Sequence, residues 1–151
     1  MARLLVVDDD RTFTEPFETF FSERGHKVVT LKNGDALSEL LKAHDFDVVI
    51  LDNYLDGQSG VEILHLFNRL EEDTGWKKPP IVLLTGDYSM EMEVRARLAK
   101  TDFFLLKPCN YSELEGLIEE ILKAKQVENS CCENGQDCCC NTLPLFKSAA
   151  D

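Results

Sequence analysis

Four short, unbroken apolar runs each end on a residue with charged or reactive chemistry, and this pattern narrows the possible folds sharply. Leu4-Leu5-Val6-Val7 leads into Asp8-Asp9-Asp10, and Val48-Val49-Ile50-Leu51 leads into Asp52. Ile81-Val82-Leu83-Leu84 leads into Thr85, and Phe103-Phe104-Leu105-Leu106 into Lys107-Pro108. Runs this short and this apolar suit parallel strands buried on both faces. If the four lie parallel, their carboxyl ends share one edge, which is where open α/β sheets bind ligands. Asp52, followed by the glycine-containing loop Asn53 to Gly60, then becomes the candidate centre of a site.

Helical patterns fill the gaps between the runs. Phe13, Phe17, Phe20 and Phe21 recur at helical spacing and form one apolar stripe. Thr12-Phe13-Thr14-Glu15 fits a capping box, which predicts Pro16 in the first turn, and Gly25 is a stop signal. Lys27 to Leu31 reads as a second strand, followed by Asn33-Gly34 and a short helix over Asp35 to Ala43. Further helices are predicted over Val61 to Glu72 and Met90 to Ala99, with Lys77-Lys78-Pro79-Pro80 breaking the chain between them. The last helix puts Leu114, Leu117, Ile118 and Ile121 on one face, with Asn110 or Ser112 as its cap. Five strands alternating with five helices predict one doubly wound α/β sheet over residues 1–125, joined by right-handed crossovers. From Gln126 onward periodicity fails, so residues 126–151 read as a flexible Cys-rich tail or linker.

The 151 residues fit a single domain with a real core. A formal charge of −12 argues against a nucleic-acid surface and against anionic membranes. No apolar run approaches the ~20 residues of a spanning helix. Met1-Ala2-Arg3 enters a strand directly, with no signal pattern, so a cytoplasmic location is expected. Cys109 stands alone, while Cys131, Cys132, Cys138, Cys139 and Cys140 crowd the tail. That is not the spread of a disulfide framework, nor the paired CxxC of a zinc ribbon. A reduced tail is the favoured reading, with metal or redox sensing as the alternative. His26, His44 and His65 show no ligand spacing and read as surface or packing residues.

Asp8, Asp9 and Asp52 at one edge would raise one another's pKa unless a cation intervenes. Mg²⁺ suits such oxygen ligands, and the Tyr54 carbonyl can add another. A phosphoryl group entering the site would meet the Lys107 ammonium and the Thr85 hydroxyl as donors, with Asp52 as nucleophile forming an aspartyl phosphate. Transfer would then rest on positioning and charge stabilisation.

Together, Val7-Asp8-Asp9-Asp10, Asp52 with its loop to Gly60, Thr85 and Lys107-Pro108 resemble the receiver domain of two-component response regulators, of the chemotaxis-regulator kind. The likeness covers about residues 2–125 in order and spacing. It implies a flavodoxin-like sheet of order 2-1-3-4-5. It implies that Asp52 accepts a phosphoryl group, that Asp9, Asp52 and the Tyr54 carbonyl bind Mg²⁺ directly, and that Asp8 acts through a water of the ion. Thr85 and Lys107 would hold phosphoryl oxygens, and the Lys107-Pro108 peptide would be cis. Phe104, three residues before Lys107, occupies the switch-aromatic position. Movement of Thr85 would let it turn inward and alter the face made by helix four, strand five and helix five. The implied donor is a histidine kinase or phosphotransfer protein, and the implied output is a protein docking on that face, without direct nucleic-acid or membrane contact. Such a domain catalyses only its own phosphorylation and dephosphorylation.

Two positions depart from the family pattern. Asp56 stands where proline is usual, and Glu71 to Pro80 is long for its connection. Alternatives are a receiver piece of a longer regulator, an unphosphorylated scaffold, and a phosphatase with an aspartyl intermediate. Haloacid-dehalogenase-type phosphatases carry a second aspartate two residues after the nucleophile; Tyr54 stands there instead. Phe104 is also readable as plain core.

Overall fold

Side-chain alternation along the strands divides the core in two. Leu4, Val6, Val48, Ile50, Val82 and Leu84 belong to one apolar cluster, while Leu5, Val7, Val49, Leu51, Ile81 and Leu83 belong to the other. A strand presents successive residues to opposite faces, so an all-apolar strand needs cover on both sides. The structure, a computed structural model, describes residues 1–55, 57–86, 89–99 and 101–132, with side chains up to residue 126.

The elements are β1 (Arg3–Val7), α1 (Arg11–Glu23), β2 (Lys27–Leu31), α2 (Leu37–Ala43), β3 (Val48–Asp52), β4 (Tyr54–Leu55), β5 (Gln58–Ser59), α3 (Gly60–Thr74), β6 (Ile81–Thr85), α4 (Met90–Leu98), β7 (Phe103–Leu106) and α5 (Tyr111–Cys132). One parallel sheet runs in the order β2-β1-β3-β6-β7, and β4 and β5 form a separate antiparallel hairpin. With the hairpin set aside, this is the doubly wound order 2-1-3-4-5. Phe17 and Phe21 of α1 and Leu114 and Ile118 of α5 cover one face. Leu37 of α2, Leu64 and Phe67 of α3, and Met92 and Ala96 of α4 cover the other.

The register carries the strand ends to a common edge. Val7 faces Leu51, Asp52 faces Leu84, and Thr85 faces Leu106. The ladder continues one step beyond the strands: Asp8 N–H donates to the Leu31 carbonyl at 2.9 Å, Asn53 N–H to Leu84 at 2.8 Å and Lys107 N–H to Thr85 at 2.7 Å. Backbone bonds therefore fix the residues at the sheet edge.

Several boundaries differ from the sequence expectation. The capping box at Thr12 is not used. Asp10 is the N-cap of α1, and its side chain accepts from Thr12 N–H at 2.9 Å and from the Thr12 hydroxyl at 2.6 Å. A carboxylate matches the helix N-terminus better than a hydroxyl and starts the helix sooner after β1. Pro16 consequently lies past the first turn, on an exposed face where water can serve the carbonyl that a proline leaves without a partner. Gly25 does terminate α1, at φ 86°, with Gly25 N–H bonded to Ser22 and His26 N–H to Phe21.

The long segment before β6 is partly helix. α3 starts at Gly60, runs to Thr74, and ends on Gly75 at φ 69°. Trp76 then stacks on Phe67 at 5.9 Å, and Lys78 Nζ donates to Asn68 Oδ1 at 2.9 Å. α2 begins at Leu37, two residues later than expected. Asn110 caps α5, accepting from Glu113 N–H at 2.7 Å. α5 continues past residue 126 to Cys132, because neither glycine nor proline interrupts the stretch before Gly135. Among the described residues, no helix is long and apolar enough to cross a membrane.

Candidate functional site

Asp8 and Asp52 are only 3% and 6% exposed, yet both sit at the open carboxyl edge of the sheet. Asp9 beside them is exposed, and one oxygen from each of the three carboxylates falls within a 4.8 Å cluster. Lys107 Nζ lies 3.0 Å from Asp8 Oδ2 and 3.3 Å from Asp52 Oδ1. The same ammonium is 5.0 Å from the centre of the Phe13 ring, which adds a cation–π contact. The Asp10 N–H donates to the remaining Asp8 oxygen at 2.9 Å. Asp8 is therefore held at both oxygens, whereas Asp9 points to solvent.

One half-buried ammonium does not neutralise two buried carboxylates and a third at their side. Burial, and then the charge of Asp8, push the Asp52 pKa up to about 6, against the opposing pull of Lys107 and the Tyr54 N–H. Burial also disfavours the Lys107 ammonium, but the Asp8 hydrogen bond and the charges of Asp52 and Asp8 outweigh it, so its pKa is raised. The site is thus short of positive charge, and its three carboxylates offer the hard oxygen donors that a divalent cation prefers.

Thr85 is fully buried at the end of β6, one residue past the partner of Asp52. The Lys107–Pro108 peptide is cis. Tyr54 has an exposed side chain and starts the β4–β5 hairpin, in which Gly57 turns at φ 79°. Phe104 belongs to the same buried cluster as Leu83, Met92 and Ala96, so the ring is already inside. Its alternate position on β7 faces α4, and that burial follows from strand periodicity alone. Asp56 lies outside the described residues, as do Cys138, Cys139 and Cys140; Cys131 and Cys132 are described only as the end of α5.

Three contributors escape the sequence pattern. Asp10 reads as one more acid in a run but caps α1 and orients Asp8. Asn53 reads as a turn residue but is buried. Gly60 reads as a flexible loop position but is a steric requirement. A Cβ on Gly60 would lie 2.6 Å from the Asp52 carbonyl, 2.9 Å from Asn53 Cα and 2.9 Å from Leu83 Cδ1. Backbone cannot yield as a side-chain tip can, so Gly60→Ala should displace the Asp52 loop and lower stability by about 1–3 kcal/mol. Urea unfolding is the check, and an unchanged midpoint would contradict this role.

A family model described as the response regulator receiver domain matches residues 4–119. The chain belongs to this family. The receiver is 30% identical over 121 residues to the cell cycle response regulator CtrA of Brucella ovis. It is 25% identical over 121 residues to the cell cycle transcriptional regulator CtrA of Caulobacter vibrioides. Each match covers 80% of this chain and 50% of the relative, so the receiver spans about half the length of these relatives. Among solved structures, the receiver domain of Francisella response regulator 1452 shares the fold, with a TM-score of 0.72 at 22% identity over 83% of this chain and 99% of that one. The BeF3-activated receiver domain of DrrB from Thermotoga maritima gives a TM-score of 0.68 at 25% identity over 82% of this chain and 98% of that one. Membership makes the chain a signalling domain of two-component systems and not a conventional enzyme.

Proposed function

We propose that this receiver accepts a phosphoryl group on Asp52 from a histidine kinase or phosphotransfer protein and signals by docking a partner protein. The observation that carries this reading is the bridging ammonium: Lys107 Nζ within 3.3 Å of both Asp8 and Asp52, in a cluster of three carboxylates at one sheet edge. Asp9, Asp52 and the Tyr54 carbonyl would hold Mg²⁺, with Asp8 assisting through a water. When bound, Mg²⁺ neutralises charge on the phosphoryl oxygens.

In the transfer, a carboxylate oxygen of Asp52 forms a bond to phosphorus as the bond from phosphorus to the donor's imidazole nitrogen breaks. The bonding pair remains on that nitrogen, and because the other ring nitrogen of the donor carries a proton, the imidazole leaves neutral. Lys107 leaves its place between the carboxylates to donate to a phosphoryl oxygen, which a mobile four-carbon stem allows. The Thr85 hydroxyl donates to another, and its movement is felt at Phe104 and at the face formed by α4, β7 and α5. The output partner docks there, in the cytoplasm. Residues 1–125 act as the receiver and residues 126–151 as tail or linker. A second reading, a receiver portion of a longer regulator, is favoured by the chain's spanning half the length of its relatives.

Incubation with Mg²⁺ and acetyl phosphate, followed by intact-mass measurement, tests the central claim. Wild-type protein should gain one phosphoryl group and Asp52→Asn none. Equal labelling of the two proteins, or no labelling of wild type by small donors or kinases, would remove Asp52 as the acceptor.

A further inference from the structure

Asn53 follows Asp52 directly, and its side chain is out of place by ordinary physical chemistry. The residue is 4% exposed. Its Nδ2 donates to Met92 Sδ at 3.2 Å, and its Oδ1 is buried with no hydrogen-bond partner among the described residues. A thioether is a weak acceptor, and an unpaired buried carbonyl oxygen destabilises a fold. Leucine has nearly the same shape and would fill the position without either penalty. Native structures rarely retain such a group without another use for it.

The other partner in that contact lies in α4, which is lightly held. Only Met92 and Ala96 of this nine-residue helix are buried. Its C-terminal end is tied by a paired network: Asn68 Nδ2 donates to the Ala99 carbonyl at 2.8 Å, and Lys78 Nζ donates to Asn68 Oδ1 at 2.9 Å. Its N-terminal half packs Met92 into the apolar cluster, and its polar tie to the strand end bearing Asp52 is the amide–thioether contact. A helix firmly fixed at one end and weakly latched at the other moves most easily at the latched end.

We infer that Asn53 is a positioning residue that latches the N-terminal half of α4 to the strand end carrying Asp52, so that α4 follows the state of that carboxylate. This rests on the reading of Asp52 as the phosphoryl acceptor. The weak sulfur contact lets the latch open at little cost, and the unpaired Oδ1 is available to a donor once α4 shifts. Coupling is therefore obtained at the expense of resting stability.

The chain has three methionines, and methyl-¹³C-methionine NMR reads the latch directly. Met92 is 3% exposed, Met90 on the same helix is 81% exposed, and Met1 is a distant exposed control. Spectra of the full chain before and after Mg²⁺ and acetyl phosphate are compared with phosphoryl incorporation, counted by mass in the same samples. In wild type the Met92 methyl resonance should move on phosphorylation. In Asn53→Leu it should move by less than half as much at equal incorporation, while the variant melts at a higher temperature than wild type. Met92→Leu removes the acceptor from the other side, and there the Met90 response should shrink. Equal Met92 shifts in wild type and Asn53→Leu at equal incorporation overturn the latch and leave the Asp52 reading intact. So does an undiminished Met90 response in Met92→Leu, or an Asn53→Leu chain that melts below wild type, as loss of a purely structural amide contact would give. A wild-type chain that gains no phosphoryl group overturns both readings.

Discussion

In metal-free buffer at pH 8, Asp52→Asn should unfold at a higher temperature than wild type, and the gap should close as the pH falls towards 4. The cause is the crowding of Asp52 by burial and by Asp8, which moves its folded pKa from an ordinary 3.8 to about 6. A carboxyl group whose folded pKa is raised contributes its stability in full below the unfolded value of 3.8 and loses it as the pH rises through 6. A shift of about two units corresponds to about 3 kcal/mol, withheld from wild type above pH 7. Asparagine keeps the shape of the side chain and cannot charge, so the variant escapes the loss. Lys107 does not confuse the result. Its raised pKa keeps its contribution intact below 10.5, with loss only as the pH climbs through the higher folded value. Mg²⁺ added at pH 8 should raise the wild-type midpoint more than that of Asp52→Asn, because the ion stabilises the state that binds it. Thermal melts at unit intervals from pH 4 to pH 8 decide the matter. Curves that run parallel across the range would mean that Asp52 is not strained in the resting fold.

The strand ends were legible in the sequence because a strand covered on both faces has no polar alternation to confuse it. The four apolar runs ended where the backbone ladder places Asp8, Asp52, Thr85 and Lys107, and β2, a partly exposed edge strand, could also be read to the residue, Lys27–Leu31. Helix starts were harder to read. Asp10 and Thr12 both satisfy the rules for a cap, and the choice depends on how soon the chain can turn after β1. The β4–β5 hairpin has two residues per strand, too few for any periodicity to register. α5 outran its apolar stripe because packing ends before helix propensity does. Of the site, the three carboxylates, Thr85 and the lysine could be gathered from four separate motifs, since each motif closes a strand and strand ends meet at one edge. Asn53 and Gly60 could not. Their importance lies in what surrounds them: a sulfur from α4 in one case and the Asp52 carbonyl in the other. Sequence shows that a residue is polar or small, but the neighbour that makes it matter arrives only with the tertiary fold.

Lys107→Met is expected to be the most damaging single change at the sheet edge, and its pH dependence should be steeper than that of wild type. Methionine keeps an unbranched stem of similar length and can pack near Phe13, but it leaves Asp8 and Asp52 without the ammonium now 3.0 and 3.3 Å away. Removing one partner of a buried charged cluster costs more than the pair contributes, because the remaining charge stays desolvated. A loss of about 2–4 kcal/mol at pH 8 is expected on that basis, and with it a still higher Asp52 pKa. The sign follows as before: the stability is present below 3.8 and is lost as the pH rises through a folded value now above about 6. Lys107→Met should therefore regain much of its deficit between pH 8 and pH 5. Adding Asp52→Asn to it should restore stability at pH 8, giving a strong coupling energy between the two positions. Chemistry should suffer separately. With no cation to meet the phosphoryl oxygens, labelling by acetyl phosphate in saturating Mg²⁺ should slow by about a hundredfold or more. Urea titrations at pH 5 and pH 8, beside a time course of phosphoryl incorporation, measure both effects. A variant as stable as wild type at both pH values, labelled at the wild-type rate, would show that Lys107 is a bystander to Asp8 and Asp52.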